Sequence, residues 1–576
     1  MFSIHMKFDL PDLIARQGVS PDAPGNRTTD ACWEDISRTD ASTRAFDRSA
    51  HAALAAITSG LSPASLGLAW LDWASHLVIS PGKWVALWQH AIEGLAGAAH
   101  PAAPDPRFAS AQWDRWPFSA YRDAFLRIQH WFGEATTGVL GVERHHEDVI
   151  RFAARQMLDA FSPTNFVWTN PAVIEAAIDM RGANFARGAR HLLEDLEDLG
   201  ERLRGEHRHH GPFSPGVNLT ITPGKVVWRN ERCELIQYTP VTSRVASEPL
   251  LIVPSWIMKY YVLDLQPHNS LIRFLIDAGF TVFAISWRNP GAEARDVGLN
   301  DYLKQGLLAA LEQVRLRCGN ARVHATGYCL GGTLLAIATA AMARHGAGAG
   351  LASITLLAAL TDFTEPGELG IFIDAGQLAA LDALMWEQCF LDGAQMAGAL
   401  QLLNARDLIW SRMMSEYLLG RRSKPNDLMS WNADTTRMPY RMHSQYLSKL
   451  FLHNDLAEGR YCVEGAPVAL SDIEQPAFVV GTERDHVSPW RSVYKLQLLT
   501  HNPLTFVLTS GGTTRGSCRS RGMRDAIIVS PRARRARPIE APKPSWPMCR
   551  PLKARGGRSG RNGCVHSRAE RFRRAP

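Results

Sequence analysis

Residues Ala321-Arg322-Val323-His324-Ala325-Thr326-Gly327-Tyr328-Cys329-Leu330-Gly331-Gly332 decide the fold. They read as a strand, a glycine-rich turn and the opening of a helix. The turn has the form G-x-C-x-G, a nucleophile elbow with sulfur in place of oxygen. A turn this tight holds Cys329 in a strained backbone conformation, and glycines at 327 and 331 leave room around it. The helix N-terminus points N–H groups and partial positive charge at the sulfur, which should favour thiolate and lower its pKa. The N–H of Leu330 is placed to bind an oxyanion. A second should come from the loop after the strand at 250–253, near Trp256 and Ile257. Small residues around a buried core cysteine are the plain alternative; the flanking strand and helix favour the elbow. Cys32, Cys233, Cys318, Cys389 and Cys462 lack such a setting and read as core or surface thiols.

Outward from the elbow, β-rich runs precede it at 225–228, 235–238, 249–254 and 281–287, and follow it at 352–357, 476–481 and 504–508. The runs at 249–254 and 281–287 are nearly all apolar, as in strands buried on both faces of a parallel sheet. Helices are expected at 269–278 and 302–317. Strands alternating with helices give an α/β fold with a mostly parallel, hydrolase-like sheet. From about 362 to 465 the strand rhythm stops, and the Met- and Trp-rich helical sequence there reads as an inserted cap. Residues 51–211 have helical periodicity (Leu68, Leu71, Trp73, Leu77) and read as an all-α domain. Their tryptophans read as core packing, with an apolar contact surface as the alternative. Residues 1–50 read as a loose leader. The catalytic α/β domain is expected over 212–512.

Composition narrows the function. Of 576 residues, 46% are hydrophobic and 21% charged, as in a globular protein, and no run reaches 18 uninterrupted apolar residues, so no transmembrane segment is expected. Nine scattered cysteines fit a reducing cytoplasm better than a disulfide scaffold. The net charge of +7 divides unevenly: residues 513–576 carry 16 Arg and 2 Lys against 1 Asp and 2 Glu, a net of +15, leaving a body with a net of −8. An acidic body points away from nucleic acid as a partner.

An elbow needs an acid and then a histidine further along the chain. Asp485, just past the strand at 476–481, stands where the orienting carboxylate belongs, with a turn or helix-cap role as the alternative. His486 adjoins it, and neighbours on a turn usually point apart, so a structural role is expected there. The histidine should follow the last strand, but the chain reads Thr509-Ser510-Gly511-Gly512-Thr513-Thr514. The next histidine is His566, in the Arg-rich tail.

The elbow continues Thr333-Leu334-Leu335. With it go Ser162-Pro163-Thr164-Asn165-Phe166, the run from Pro254 through Trp256 to Leu265, Ser286-Trp287-Arg288-Asn289-Pro290, the run from Asn404 to Trp410, Trp431-Asn432-Ala433-Asp434, and Asp485-His486 with Pro489-Trp490. In this order they resemble the class I polyhydroxyalkanoate synthases, from about residue 51 to Gly512. The resemblance implies a helical N-terminal domain and a capped α/β-hydrolase-like domain. It also implies a Cys–His–Asp triad that polymerises (R)-3-hydroxyacyl-CoA, most often 3-hydroxybutyryl-CoA, with release of CoA. The nucleophile maps to Cys329 and the acid to Asp485. No cofactor is implied, since acyl-CoA is the substrate. A homodimer in the cytoplasm on the surface of storage granules is expected.

Family members typically continue Ser-Gly-Gly-His-Asn-Ala-Gly-Ile-Val-Ser-Glu-Pro-Gly. Here Thr513 stands where the catalytic histidine belongs. Deleting one base from GC-rich codons chosen for that run yields Thr-Thr-Arg-Gly-Ser-Cys-Arg-Ser-Arg, the sequence at 513–521. The tail at 513–576 therefore reads as out of frame and disordered. The rival reading is a genuine basic tail that binds nucleic acid or polyphosphate. Two rival functions also stand beside the synthase: a Cys-nucleophile hydrolase or thioesterase, and a non-catalytic chain on the granule.

Overall fold

The computed structural model describes residues 41–58, 60–95, 105–203, 212–344, 346–403, 405–422, 424–510, 527–529 and 571–573. The chain divides into two compact units, Met1–Ala50 and His51–Pro576. Of the first, residues 41–50 are described, as the opening turns of a helix, Ala41–Ile57. The remainder of the expected leader lies outside the described residues.

The second unit is built on one sheet. Its strands are β1 (Gly224–Arg229), β2 (Cys233–Tyr238), β3 (Leu250–Val253), β4 (Val282–Trp287), β5 (Val323–Tyr328), β6 (Leu351–Leu357), β7 (Ala477–Thr482), β8 (Leu504–Thr509) and β9 (Ile527–Val529). They lie in the order β1-β2-β4-β3-β5-β6-β7-β8-β9. β1 pairs antiparallel with β2, and β2 with β4. From β4 to β8 every pair is parallel. All eight strands expected from the sequence are present, within one or two residues of their expected ends.

The apolar runs do what parallel central strands require. All four residues of β3 are buried, as are Val282, Phe283, Ala284 and Ile285 of β4. Each fully buried Leu, Ile or Phe contributes about 1.5–3 kcal/mol. Parallel neighbours need a crossover, and helices supply it. Leu271–Asp277 joins β3 to β4, capped by Ser270 Oγ accepting from Arg273 N at 2.9 Å. The helix expected at 302–317 forms as a π-helical segment, Tyr302–Leu308, running into Ala309–Arg317. There Gly306 packs against the ring of Trp287.

The basic tail, expected to be disordered, holds two described three-residue strands. β9 pairs antiparallel with β8, and Arg571–Arg573 pairs with Arg244–Ala246. The first has a simple cause: β8 would otherwise be an open edge, and Ala526-Ile527-Ile528-Val529 is a β-prone run. Thr513 and His566 lie outside the described residues.

The N-terminal helices include α1 (Pro63–Val78), α2 (Pro81–Leu95) and α3 (Arg144–Ala160). α1 begins with Pro at its first position and Ser62 Oγ accepting from Ser65 N at 3.3 Å. Its inner face carries Leu77, which joins Leu87, Ala135 and Val139 in a small core. The outer faces differ from the expectation. Trp113 is buried, but Trp70 and Trp88 are 58% and 66% exposed, beside exposed Leu66, Leu68, Leu71, Val85 and Ile92. Core packing fails for these tryptophans because α1 and α2 are apolar nearly all round, while the neighbouring elements cover one side.

The helical layer is tied to the cap by polar contacts. Ser65 Oγ donates to Asp374 Oδ1 at 2.7 Å. The buried carboxylate of Asp159 accepts from Arg107 Nη1 at 2.7 Å and Arg406 Nη2 at 3.0 Å. In the cap, which contains helices Ala375–Gln388 and Gly393–Leu403, the stretch around Trp431-Asn432-Ala433-Asp434 lies on the loop after β3. Trp431 Nε1 donates to Lys259 O at 2.8 Å, and Tyr261 OH to Asp434 Oδ2 at 2.8 Å.

Candidate active site

β5 ends at Tyr328, and α4 (Leu330–Arg344) starts two residues later. Cys329 alone makes the turn, at φ +51°, in the left-handed region. A non-glycine residue is costly there, by about 1–3 kcal/mol, and persists where the surroundings hold it. Here they do: Cys329 N donates to Leu357 O at 2.8 Å, and its carbonyl accepts from Gly332 N at 2.9 Å. A side chain at 327 would run into Gly332 Cα, and one at 331 into Val253 O and Pro254 O. Both glycines are therefore required by close backbone approach, and the elbow brings the loop after β3 against α4.

The Leu330 N–H and the Ser488 hydroxyl both favour the charged form of the sulfur. The expected lowering of the thiol pKa is reversed. Burial and then the Asp485 carboxylate push Cys329 up to about 11, past what those two groups recover. The helix end does act on the thiol, but desolvation outweighs it. The Ile257 amide, expected as the second oxyanion donor, gives its N–H to Ser255 Oγ at 3.3 Å, and Ile257 O accepts from Thr436 N at 2.9 Å. The loop after β3 is thereby clamped between the elbow and the cap.

Asp485 sits three residues past β7, buried. Its Oδ1 accepts from Val487 N at 2.9 Å and Ser488 N at 2.7 Å, and its Oδ2 from Thr482 Oγ1 at 3.2 Å. Ser488 thus stands by both acid and nucleophile: its amide is on Asp485, and its hydroxyl favours the thiolate of Cys329. Thr482 is in register with Thr509, and Glu483 N donates to Thr509 O at 2.9 Å. The chain leaving β8 therefore starts beside the acid loop. His486 faces elsewhere in part: its carbonyl accepts from Glu368 N at 3.1 Å, and it lines a cavity that Cys329 does not line.

Two neighbours of the thiol were not singled out in the sequence. Ser488 had a signal, its place three residues after Asp485 in the same turn. Tyr446 had none, because cap packing alone brings it in. Its hydroxyl is held well above its usual pKa by burial, with the Cys329 charge adding to it. Its ring packs on His443, a buried imidazole pushed down to about 4 by burial. Among the described residues no group of three or more His, Cys, Asp or Glu side chains is arranged to hold a metal. No described helix is long and apolar enough to cross a membrane.

Comparison with known proteins agrees with this fold. Residues 41–83 match the family model "Poly-beta-hydroxybutyrate polymerase N terminal", and 104–275 match "Poly-beta-hydroxybutyrate polymerase (PhaC) N-terminus". Residues 248–512 match the alpha/beta hydrolase fold. The poly(3-hydroxyalkanoate) polymerase of Methylorubrum extorquens is 38% identical over 440 residues, 75% of this chain and 73% of that protein. The polymerase subunit PhaC of Rhizobium meliloti is 36% identical over 452 residues, 77% of this chain and 73% of that one. That of Cupriavidus necator is 35% identical over 475 residues, 80% of each. A cysteine at a strained elbow, the acid after the next-to-last parallel strand and matches running through both halves of the chain lead to one conclusion: this protein belongs to the poly(3-hydroxyalkanoate) polymerases, acyltransferases on the α/β-hydrolase fold.

Proposed function

We propose that the chain takes a 3-hydroxyacyl group, most readily 3-hydroxybutyryl, from CoA onto Cys329, and that its elongation step is impaired by loss of the catalytic histidine. The observation that carries this is Cys329 at φ +51° in the turn between β5 and α4, in a chain of this family. The thiolate attacks the thioester carbonyl, the bond to the CoA sulfur breaks, and CoA leaves as a thiol once protonated. The hydroxyl of a second unit then attacks the new thioester on Cys329, freeing its sulfur and lengthening the ester chain. Both attacks need a base. Asp485 is built to orient an imidazole, and the residue in the histidine's place is Thr513. The hydrolase match ending at 512 supports a frame break at that point. The chemistry calls for no metal or redox cofactor.

The exposed apolar faces of α1 and α2 support attachment to a storage granule in the cytoplasm, and the family supports a homodimer. The test mixes purified protein with 3-hydroxybutyryl-CoA and follows free CoA and polymer. A burst of CoA no larger than the protein concentration, absent in Cys329→Ser and without polymer, is expected. Continuous CoA release without polymer would make the chain a thioesterase instead. No release at all would leave a non-catalytic granule protein.

A further inference from the structure

Three side chains that the thiol chemistry does not use meet at the far end of β5. His324 is the second residue of that strand, whose last residue adjoins Cys329. At 3.3 Å per residue it stands about 16 Å from the elbow. Ser353 of β6 lies beside it in register. The Ser353 hydroxyl is 2.7 Å from His324 Nδ1, and His324 Nε2 is 3.2 Å from Glu248 Oε2. A carboxylate oxygen only accepts, so Nε2 carries the proton, and Nδ1 is left to accept from the serine. Arg322 Nη2 donates to the other carboxylate oxygen, Oε1, at 3.0 Å and fixes the acid in turn.

The backbone is shaped to bring the three together. β5 and β6 pair Val323 with Leu351 and then His324 with Ser353, so the register slips by one residue, and Ala352 is the extra one. In unbroken register Ala352 would stand opposite His324. A bulge of this kind bends a strand and re-aims a side chain, here the Ser353 hydroxyl. On the other side of β5, His324 N donates to Pro249 O at 2.9 Å, which seats Glu248 next to the ring. The adjacent segments of β3, β5 and β6 thus line up acid, imidazole and hydroxyl at their starting ends. The side chains of His324 and Glu248 are 13% and 14% exposed, and Ser353 is half-buried. The trio is shielded from bulk water yet open at the surface.

A hydroxyl within reach of an imidazole that a third group orients is the arrangement of an activated nucleophile. We propose that Ser353 is a second nucleophile of this chain, with His324 as its base and Glu248 as the orienting acid, and that it takes acyl or phosphonyl groups from small activated esters. Ser353 Oγ attacks the carbonyl carbon or phosphorus, and its proton passes to His324 Nδ1. The bond to the leaving group breaks, the leaving group departs with the electron pair, and His324 returns its proton to solvent. The two ring nitrogens trade the places they hold in the serine proteases, where Nε2 meets the serine; the proton path is the same. The half-buried hydroxyl limits the donor to a small, reactive one. None of this depends on what Cys329 does with acyl-CoA.

The test treats the full chain with a small fluorophosphonate, which loses fluoride to an activated serine, and maps the adduct by mass spectrometry. Cys329 and Ser353 fall on different tryptic peptides, because Arg344 lies between them. An adduct on Ser353 is expected in the folded chain and not in urea. His324→Asn should slow its formation by about 10²-fold or more, the worth of a general base, and Glu248→Gln should slow it in the same direction. 4-Nitrophenyl acetate should acetylate the same serine with the same dependence on His324. No adduct on Ser353 in the folded, unaltered chain would overturn the proposal, a result that needs no variant to fold. An adduct that forms as fast in urea or in His324→Asn would overturn it as well, since the serine would then react without its base.

Discussion

The two halves of the site differ in how complete they are. On the nucleophile side, the elbow at 327–332 has its strained cysteine, both required glycines and the start of α4 directly after it. On the acid side, Asp485 is buried and held by three hydrogen bonds, yet the residue four past Thr509 is threonine. The difference teaches that geometry and proton handling are built separately. The elbow and its helix position the sulfur, but burial and then the Asp485 charge work against ionisation, and the thiol goes up to about 11.

The largest expected effect falls on the positional half. Gly331→Ala places a Cβ against Val253 O and 2.6 Å from Pro254 O, both backbone atoms. Overpacking of this kind costs about 3 kcal/mol, the upper end of its usual range. Thermal unfolding should shift down accordingly, and Cys329 labelling should lose its dependence on the fold. A Gly331→Ala protein as stable as the parent would break the claim that close approach sets the elbow.

The proton half is tested by pH. The thiolate is the reactive form, so iodoacetamide labelling of Cys329 should be slow at pH 7 and rise about tenfold per pH unit toward about 11. The same shift bears on stability. A thiol raised from 9.0 to about 11 keeps its proton longer when folded, so its contribution is full below pH 9 and is lost as pH rises through about 11. A labelling midpoint near 7 would show that the helix end dominates after all.

Asp485→Asn sharpens the contrast. After burial, the Asp485 charge is the next cause holding the thiol up. Its removal should lower the labelling midpoint and speed labelling at pH 8 several-fold. In a complete triad the same change would harm the nucleophile. Ser488→Ala should act in the opposite direction and least of all, since its hydroxyl is the smallest of the causes acting on the thiol. A slowing of about two- to threefold is expected for one weak hydrogen bond.

Much of this was legible before the structure. The eight strands stood out because buried parallel strands are short apolar runs, and the elbow because a turn that tight admits few residue types. Cys329, Leu330 and Asp485 came from local rules. Tyr446 and the cavity lined by His486 did not, because residues from 144 to 489 meet there only through tertiary packing. The exposed Trp70 and Trp88 were misread because periodicity tells which residues share a helix face, not which face the neighbours cover. The pKa of Cys329 was misread for a related reason: the helix dipole is local and visible in sequence, while desolvation is a property of the whole surround.

The central claim is that a positioned nucleophile stands beside an acid with no imidazole between them among the described residues. The most direct measurement compares the chain as it stands with one made from a gene given one added base before codon 513, which on the proposed frame break rebuilds the histidine. Polymer formation from 3-hydroxybutyryl-CoA should rise by about 10²–10⁴-fold on repair, the usual worth of a general base. Equal rates of polymer formation in the two would contradict the account and give the proton transfer to a group already present.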